Sequence, residues 1–425
     1  MMKRGVHIRK GSKHIKTRVD LPASKSLSNR LLIIKALCKD NFIIKNLSGS
    51  GDTIMLQKSL ENTDSINSID INDAGTVFRF LTAFFCVLKG TRTLSGNKRM
   101  LVRPIAPLVD TLNELGGKIS YSGFKGYPPI LINGTTLEGG KASIDAHISS
   151  QFVSALLLIA PTMKKGLELE LKRSVASEPY IRMTLDLMRY YGIESEWDDN
   201  IIKIVPQKYE PKNITVEADW SAAAFWYEMA ALSEHAEIEL MGLQKNSMQG
   251  DNAIAEIYEN IGVETTYLAD SILLRKSART IDFLELDFFA IPDVFPSLVA
   301  CCAGLNLPFR FTGLQNLSIK ESDRVEAMIC ELGKFGYEFE YEKPAVLSFN
   351  GLHKKPVKKH ILCETQNDHR IAMALAPLSL LDFNLNITDS DCVNKSYPDF
   401  FNHLKNAGFS VEDFWNNCNF DLNLT

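Results

Sequence analysis

Leu112-Asn-Glu-Leu-Gly-Gly-Lys-Ile119 reads as the end of an apolar helix, a glycine closing it in the left-handed conformation, and the start of an alternating strand. The same succession recurs in Met188-Arg-Tyr-Tyr-Gly-Ile193, Tyr258-Glu-Asn-Ile-Gly-Val263, Leu332-Gly-Lys-Phe-Gly-Tyr337 and Leu404-Lys-Asn-Ala-Gly-Phe409. With Gly117, Gly192, Gly262, Gly336 and Gly408 as marks, the spacings are 75, 70, 74 and 72 residues. One such mark is commonplace. Five at an even period near 72 predict a βα-type unit repeated about six times. The missing first mark belongs near residue 45, yet its nearest candidate is Leu60-Glu-Asn62, only 55 before Gly117. The first unit is therefore expected to be shortened around 60–72, by a strand and a loop.

Working outward, Leu21-Pro-Ala-Ser-Lys-Ser-Leu-Ser-Asn-Arg30 joins an alternating strand (Ile15, Thr17, Val19, Leu21) to a helical run from Leu27 to Cys38. Pro22 ends the strand, and Ser24 or Ser26 is placed to cap the helix. A helix start favours acids, yet none lies between Asp20 and Asp40, while Lys25 and Arg30 do. That pattern suits a bound anion such as phosphate, or else a basic capped surface helix. Further helices are predicted to open at Ala74-Gly-Thr-Val-Phe-Arg79, Ser149-Ser-Gln151, Lys320-Glu-Ser-Asp-Arg324 and Asn367-Asp-His-Arg370, while Asn246-Ser-Met-Gln-Gly-Asp251, Ile291-Pro-Asp293 and Lys395-Ser-Tyr-Pro398 precede others, the last with Pro in the first turn. If these starts face one cleft, their positive ends sum on a shared ligand.

Composition narrows the classes. A chain of 425 residues, 45% hydrophobic, buries more than one core. A net charge of −4 offers no bulk basic field for nucleic acid. The basic start, residues 1–16, has no apolar core of a secretory signal, and no run is long enough to span a membrane. Eight cysteines without C-x-x-C spacing, mostly in apolar runs, fit reduced core residues of a cytoplasmic protein. No metal-ligand spacing, phosphate-binding P-loop or dinucleotide fingerprint occurs, so no metal or cofactor is expected.

These motifs, with Arg103-Pro-Ile105 and Lys395-Ser-Tyr-Pro-Asp399, run in one order from 21 to 399. Together they resemble the 5-enolpyruvylshikimate-3-phosphate synthase (3-phosphoshikimate 1-carboxyvinyltransferase) family. The resemblance implies an α/β fold of two similar domains, each of three βαβαββ units in an inside-out barrel-like arrangement, with the active site in the cleft between them. It implies one domain over 21–215 and a discontinuous one over 1–20 plus 216–425. It further implies a monomer that joins phosphoenolpyruvate to the 5-hydroxyl of shikimate 3-phosphate by addition and elimination, releasing phosphate, on the route to chorismate and the aromatic amino acids. The implied shikimate 3-phosphate contacts are Lys25, Ser26, Arg30, Ser149, Ser150, Gln151, Ser177, Tyr180, Asp293, Asn316 and Lys320. Those for phosphoenolpyruvate are Lys25, Gly75, Arg103, Gln151, Arg324, Arg370 and Lys395.

The two substrates carry roughly five to six negative charges, and without a metal the cations above must balance them. Unliganded, two such cations ~6 Å apart cost ~3 kcal/mol at an effective dielectric of ~20. The empty protein is therefore expected to gape and its substrates to draw it shut, a change that small-angle scattering with and without both ligands reads. Protonating a methylene carbon and deprotonating a hydroxyl happen at different places, which suits two carboxylates. Glu321 is the candidate at the carbon and Asp293 at the hydroxyl, with Lys25 and His369 assisting phosphate departure or proton traffic. Read singly, Asp293 is a helix cap, Glu321 with Arg324 a solvated helix pair, His369 a surface residue and Ser149-Ser150 a plain cap. Lys354, Lys355, Lys358 and Lys359 read as solvated loop charge.

Two departures from the family pattern stand out: Ala23 in place of Gly, and Asp73 in place of Asn beside the expected phosphoenolpyruvate pocket. The rival enzyme is the enolpyruvyl transferase acting on UDP-N-acetylglucosamine, which relies on a loop cysteine. Residues 90–103 contain none. A non-catalytic phosphoester-binding protein is the rival of another class, and it would lack Lys25, Asp293, Glu321 or Lys395.

Overall fold

The computed structural model describes residues 3–63, 67–147, 149–354 and 359–416. Lys355 and Lys358 lie outside them, as does Cys418. The chain opens with β1 (Lys3–Arg9) and β2 (His14–Asp20), then α1 (Lys25–Leu37), β3 (Ile44–Lys45) and α2 (Gly51–Glu61). Next come β4 (Ser68–Asp70), α3 (Gly75–Val87), β5 (Gly90–Ser95), α4 (Ala106–Glu114), β6 (Ile119–Tyr121) and β7 (Ile130–Gly134). They are followed by β8 (Gly140–Asp145), α5 (Ser150–Ile159), β9 (Leu167–Lys172), α6 (Glu178–Tyr190), β10 (Glu196–Asp198), β11 (Ile201–Ile204) and β12 (Ile214–Thr215). The next stretch holds α7 (Trp220–Leu232), β13 (His235–Met241), α8 (Ile254–Ile261), β14 (Val263–Tyr267) and β15 (Ser271–Lys276). Then follow β16 (Leu284–Asp287), α9 (Phe295–Gly304), β17 (Phe309–Thr312), α10 (Arg324–Gly333), β18 (Glu340–Glu342) and β19 (Val346–Phe349). The last are β20 (His360–Cys363), α11 (His369–Leu375), β21 (Asn384–Ile387), α12 (Phe400–Asn406) and β22 (Ser410–Asn416).

The repeat is plain in the sheets. In β4-β5-β7-β6, β10-β11-β9-β8 and β16-β17-β19-β18, two parallel strands linked through a helix are followed by an antiparallel hairpin. The sheets β14-β15-β13-β2 and β20-β21-β1-β22 have the same order, but each takes one strand from the chain's beginning. Thus β2 runs parallel to β13 with Val19 opposite Leu240, although residues 21–234 intervene. The first unit keeps only the parallel pair β12-β3, and no hairpin appears among the described residues between α2 and β4. The shortening falls in the expected region, but the hairpin is what is missing rather than a strand and a loop.

By contacts the described residues form two compact units, one of 3–22, 218–247 and 251–416, the other of 23–217 and 248–250. Each has its own apolar core. In the second, the inner helices α1, α3 and α5 pack against one another; in the first, α7, α9 and α11 do. Being covered by neighbours all round, they lack the one-sided pattern of a surface helix. Every residue of α7 is buried. Burying side chains such as its Phe225 and Leu232 stabilises the fold by about 1.5–3 kcal/mol apiece.

The helix-closing glycines take positive φ at Gly116, Gly192, Gly262, Gly336 and Gly408. The first mark is therefore Gly116 and not Gly117. A Cβ on Gly117 would sit 2.6 Å from the Leu112 carbonyl oxygen, so its glycine answers to crowding instead. Ser24, not Ser26, caps α1, accepting the Leu27 N–H at 3.4 Å. Ala23 has no positive φ, so the Gly-to-Ala departure costs the turn nothing. Pro398 precedes the cap Asp399 and so lies outside the first turn of α12. No helix among the described residues is long and apolar enough to cross a membrane.

One core residue works against stability. Glu228, in the middle of α7, is 0% exposed, and neither carboxylate oxygen has a hydrogen-bond partner. Burial pushes its carboxyl well above the usual range. With the folded value raised, the native state binds more protons than the unfolded chain, so this group's contribution to stability falls as pH rises from the unfolded Glu range to the raised folded value. Glu228→Gln, which needs no proton to stay neutral, is expected to flatten that slope and to stabilise the protein by about 1–3 kcal/mol near pH 7. Thermal midpoints of both proteins from pH 5 to 8 check this.

Candidate active site

In the unit containing 23–217, the inner helices begin with residues singled out in the sequence. Lys25 is the first residue of α1, and its Nζ lies 3.3 Å from Asp52 Oδ2 near the start of α2. Gly75 opens α3, and Ser150 with Gln151 opens α5 behind the cap Ser149. Gln151 Nε2 donates to Thr76 Oγ1 at 3.0 Å, tying two of these starts together. Ser177 occupies the cap position of α6 without a side-chain cap bond, in the left-handed region at φ 55, a strained conformation for serine, and its carbonyl accepts the Tyr180 N–H at 3.0 Å.

Arg103 Nη1 donates to the Asp73 carbonyl at 3.3 Å, so the backbone of the unusual Asp73 helps aim the cation. A Cβ at Gly75 would meet Arg103 Nη1 at 2.7 Å and Arg79 Nη1 at 2.5 Å. The glycine is thus required by two guanidinium groups lying against it. Arg30 is 2% exposed, and four bonds tie it to Thr184, Ser26, Ser154 and Tyr180. Of its five N–H groups, this leaves one on Nη1, so its main work is to fix Ser26 and Tyr180. Burial, opposed slightly by Tyr180, pulls its pKa down to about 10.

The other unit carries a denser cluster. Arg324 opens α10 behind the cap Asp323 and its side chain is 1% exposed. Its Nε, Nη1 and Nη2 reach Asp368 Oδ2 at 3.0 Å, Asp293 Oδ1 at 2.9 Å and Glu321 Oε2 at 3.0 Å. Arg370 Nη2 holds the other Asp293 oxygen at 2.9 Å, and Lys320 lies 3.9 Å from Asp293. Lys395 Nζ is 3.6 Å from Glu321 Oε1. Asp368 caps α11, accepting the Arg370 N–H at 2.9 Å and the Ser322 hydroxyl at 3.0 Å. His369 follows it, 1% exposed, with Nδ1 3.8 Å from the Asp368 carboxylate. Asn316 lies half-buried in the loop before α10.

Several single-residue readings fall here. Asp293 does not cap α9, whose cap position is Val294. Glu321 and Arg324 are a buried pair, and His369 is no surface residue. Lys320, Glu321 and Ser322 precede the helix, which starts at Arg324 because Asp323 takes the Glu326 N–H. The premise of bare, mutually repelling cations does not hold for the four cations of this unit. Within this unit Lys320, Arg324, Arg370 and Lys395 each face a carboxylate, which offsets their mutual repulsion.

Charge sets proton affinity in opposite directions for two neighbours. Burial alone would raise the Asp293 carboxyl, but Arg370, Lys320 and Arg324 together hold it well below the usual carboxylate range. Asp251 is pushed up to about 6 by burial and the Asp293 charge, against the pull of the Ser221 hydroxyl and Arg370. Burial would lower the Arg324 pKa, yet Asp368, Glu321 and Asp293 raise it. Sequence reasoning gave no role to Asp52, Asp251 or Asp368. The last two lay inside quoted motifs, and the excess of nearby Arg and Lys was the signal that carboxylates were needed.

A family model for EPSP synthase (3-phosphoshikimate 1-carboxyvinyltransferase) matches residues 55–404. The chain is 44% identical over 399 residues to the 3-phosphoshikimate 1-carboxyvinyltransferase of Bacteroides fragilis strain YCH46, covering 94% of this chain and 97% of that one. To its namesake from Photobacterium damsela subsp. piscicida it is 33% identical over 414 residues, covering 91% and 96%. Among solved structures, EPSP synthase from Acinetobacter baumannii matches with a TM-score of 0.77 at 21% identity, over 97% of this chain and all of that one. The enolpyruvyl transferase NikO from Streptomyces tendae gives 0.77 at 14% identity, over 98% and 100%. Those two structures speak for the fold; the family model and the close relatives go further. This chain belongs to the EPSP synthase (3-phosphoshikimate 1-carboxyvinyltransferase) family.

Proposed function

We propose that the protein transfers the enolpyruvyl group of phosphoenolpyruvate to the 5-hydroxyl of shikimate 3-phosphate and releases inorganic phosphate. The observation that carries this reading is the Arg324 guanidinium, whose separate edges fix Asp293 and Glu321. One rigid planar group thus sets two carboxylates at separate points, as two proton transfers at different atoms demand. Asp293 takes the proton of the attacking hydroxyl. Glu321 protonates the methylene carbon, with Lys395 beside it as the neighbouring proton source. Loss of phosphate, with return of a methyl proton to a base, restores the double bond.

Anion binding and proton transfer are linked in this scheme. Arg324, Arg370 and Lys320 are the groups that depress Asp293. Substrate phosphate and carboxylate drawing on the same cations weaken that depression, so Asp293 gains basicity when substrate is present. Shikimate 3-phosphate is assigned to Lys25, Ser26, Ser149, Ser150, Gln151, Ser177, Tyr180, Asn316 and Lys320, with the spare N–H of Arg30. Phosphoenolpyruvate is assigned to Lys25, Gly75, Arg103, Gln151, Arg324, Arg370 and Lys395. A cytoplasmic monomer without a cofactor belongs to the same reading, and the free thiols of Cys86, Cys301, Cys302 and Cys363 in the core bear on its reducing compartment alone.

Phosphate release from the two substrates together, compared with each alone and with Glu321→Ala, tests the proposal. Release with UDP-N-acetylglucosamine in place of shikimate 3-phosphate would overturn it. Gly75→Ala is expected to raise KM for phosphoenolpyruvate about tenfold, ~1.4 kcal/mol of binding, because its methyl displaces the tips of Arg103 and Arg79. Glyphosate is expected to inhibit the wild type; full activity at millimolar glyphosate would contradict this.

A further inference from the structure

Arg79 ends the helix-opening stretch Ala74–Arg79 but is not among the site residues read from the sequence, and the reaction above gives it no role. It lies one helical turn after Gly75 on α3 and is 4% exposed. Its guanidinium sits 5.6 Å from the Phe152 ring centroid, and Nη2 donates to the Pro104 carbonyl at 3.4 Å. Pro104 directly follows Arg103, which is itself 7% exposed. The tips of both arginines converge on the same point beside Gly75. There α3 begins without a side-chain cap and without an acid in its first turn. Two buried guanidinium groups and a positive helix end thus share one small volume.

We propose that Arg79 is a positioning residue for anion capture: it anchors the backbone beside Arg103 and, from beneath, holds that guanidinium against the start of α3. The class of ligand served is a small carboxylate or phosphate. This rests on the assignment of phosphoenolpyruvate to Arg103. Like charge beneath Arg103 disfavours its retreat toward the core and keeps it extended toward the anion. Phe152 supplies the flat surface that Arg79 needs and that a lysine uses less well.

The test compares wild type, Arg79→Gln, Arg79→Lys, Arg103→Lys and the double variant Arg79→Gln with Arg103→Lys. Arg79→Gln is expected to raise KM for phosphoenolpyruvate at least tenfold, leave kcat within threefold and leave KM for shikimate 3-phosphate unchanged. Arg79→Lys should recover part of the loss. The double variant should be much less impaired than the product of the two single effects, since Arg79 acts through Arg103. An unchanged KM for phosphoenolpyruvate, a common fall in kcat with both KM values altered, or strictly multiplicative effects would each overturn the proposal. Should Arg79→Gln fail to fold, the lysine variant alone still decides through the same split. Titration calorimetry with inorganic phosphate separates this inference from the broader one. Absence of turnover in wild type defeats the assigned reaction, while weaker phosphate binding in Arg79→Gln still measures the anion site.

Discussion

Asp293→Asn is expected to lower kcat by about 10³-fold, within the range that loss of a positioned acid or base produces. The substitution keeps the shape of the side chain and removes its charge and basicity. It should leave KM for phosphoenolpyruvate the same or lower, because Arg324 and Arg370 lose a competing carboxylate. Phosphate release under saturating substrates reads both. A fall of less than tenfold in kcat would remove Asp293 from the chemistry. Stability gives a second reading with a definite sign. The folded carboxyl is held below its unfolded value, so its contribution is present above the unfolded Asp range and is lost as pH falls through the folded value. Asp251, raised to about 6, has the opposite slope between the unfolded Asp range and pH 6. The asparagine variant should therefore lose less stability than wild type on acidification below about pH 4.

Arg324→Met is expected to be the most damaging single change. It leaves Asp368, 0% exposed, and Asp293 and Glu321 without the guanidinium that joins them. Removing one partner from a buried ion cluster costs about 3–5 kcal/mol, and activity should fall below detection because both carboxylates lose their placement. Arg324→Lys restores one charge but cannot address three carboxylates from fixed edges, so it should fold better than Met and remain nearly inactive. Urea midpoints and phosphate release measure the two effects. A loss under 1 kcal/mol with Met would show that neighbouring cations suffice.

The repeat was legible because a helix closing on glycine leaves a mark that packing cannot erase; Gly192, Gly262 and Gly408 all take positive φ. The hairpin missing from the first unit was legible only as a spacing, since length does not say which element is lost. The exchange of β1 and β2 into sheets built from later residues was invisible to periodicity, because register between distant strands is a property of the fold. The cations of the candidate site announced themselves as Arg and Lys at helix starts where acids are favoured. Their partners did not. Asp368 reads as a helix cap, which it also is, and only burial and distance reveal that it also accepts from Arg324. Arg79 sits inside an apolar helical run, where a lone arginine gives no hint of what it faces.

The path of the chain through its sheets has a consequence for synthesis on the ribosome. Residues 23–217 hold all the strands of their own three units, closing with β12 on β3, so that body can form once its last strand has emerged. Strand β1, in contrast, must wait for β21 and β22, which follow it hundreds of residues later. At ordinary elongation rates the delay is on the order of tens of seconds. A nascent chain arrested shortly after residue 260 should then carry a protease-resistant core that includes residues 23–217, with β1 still open to cleavage.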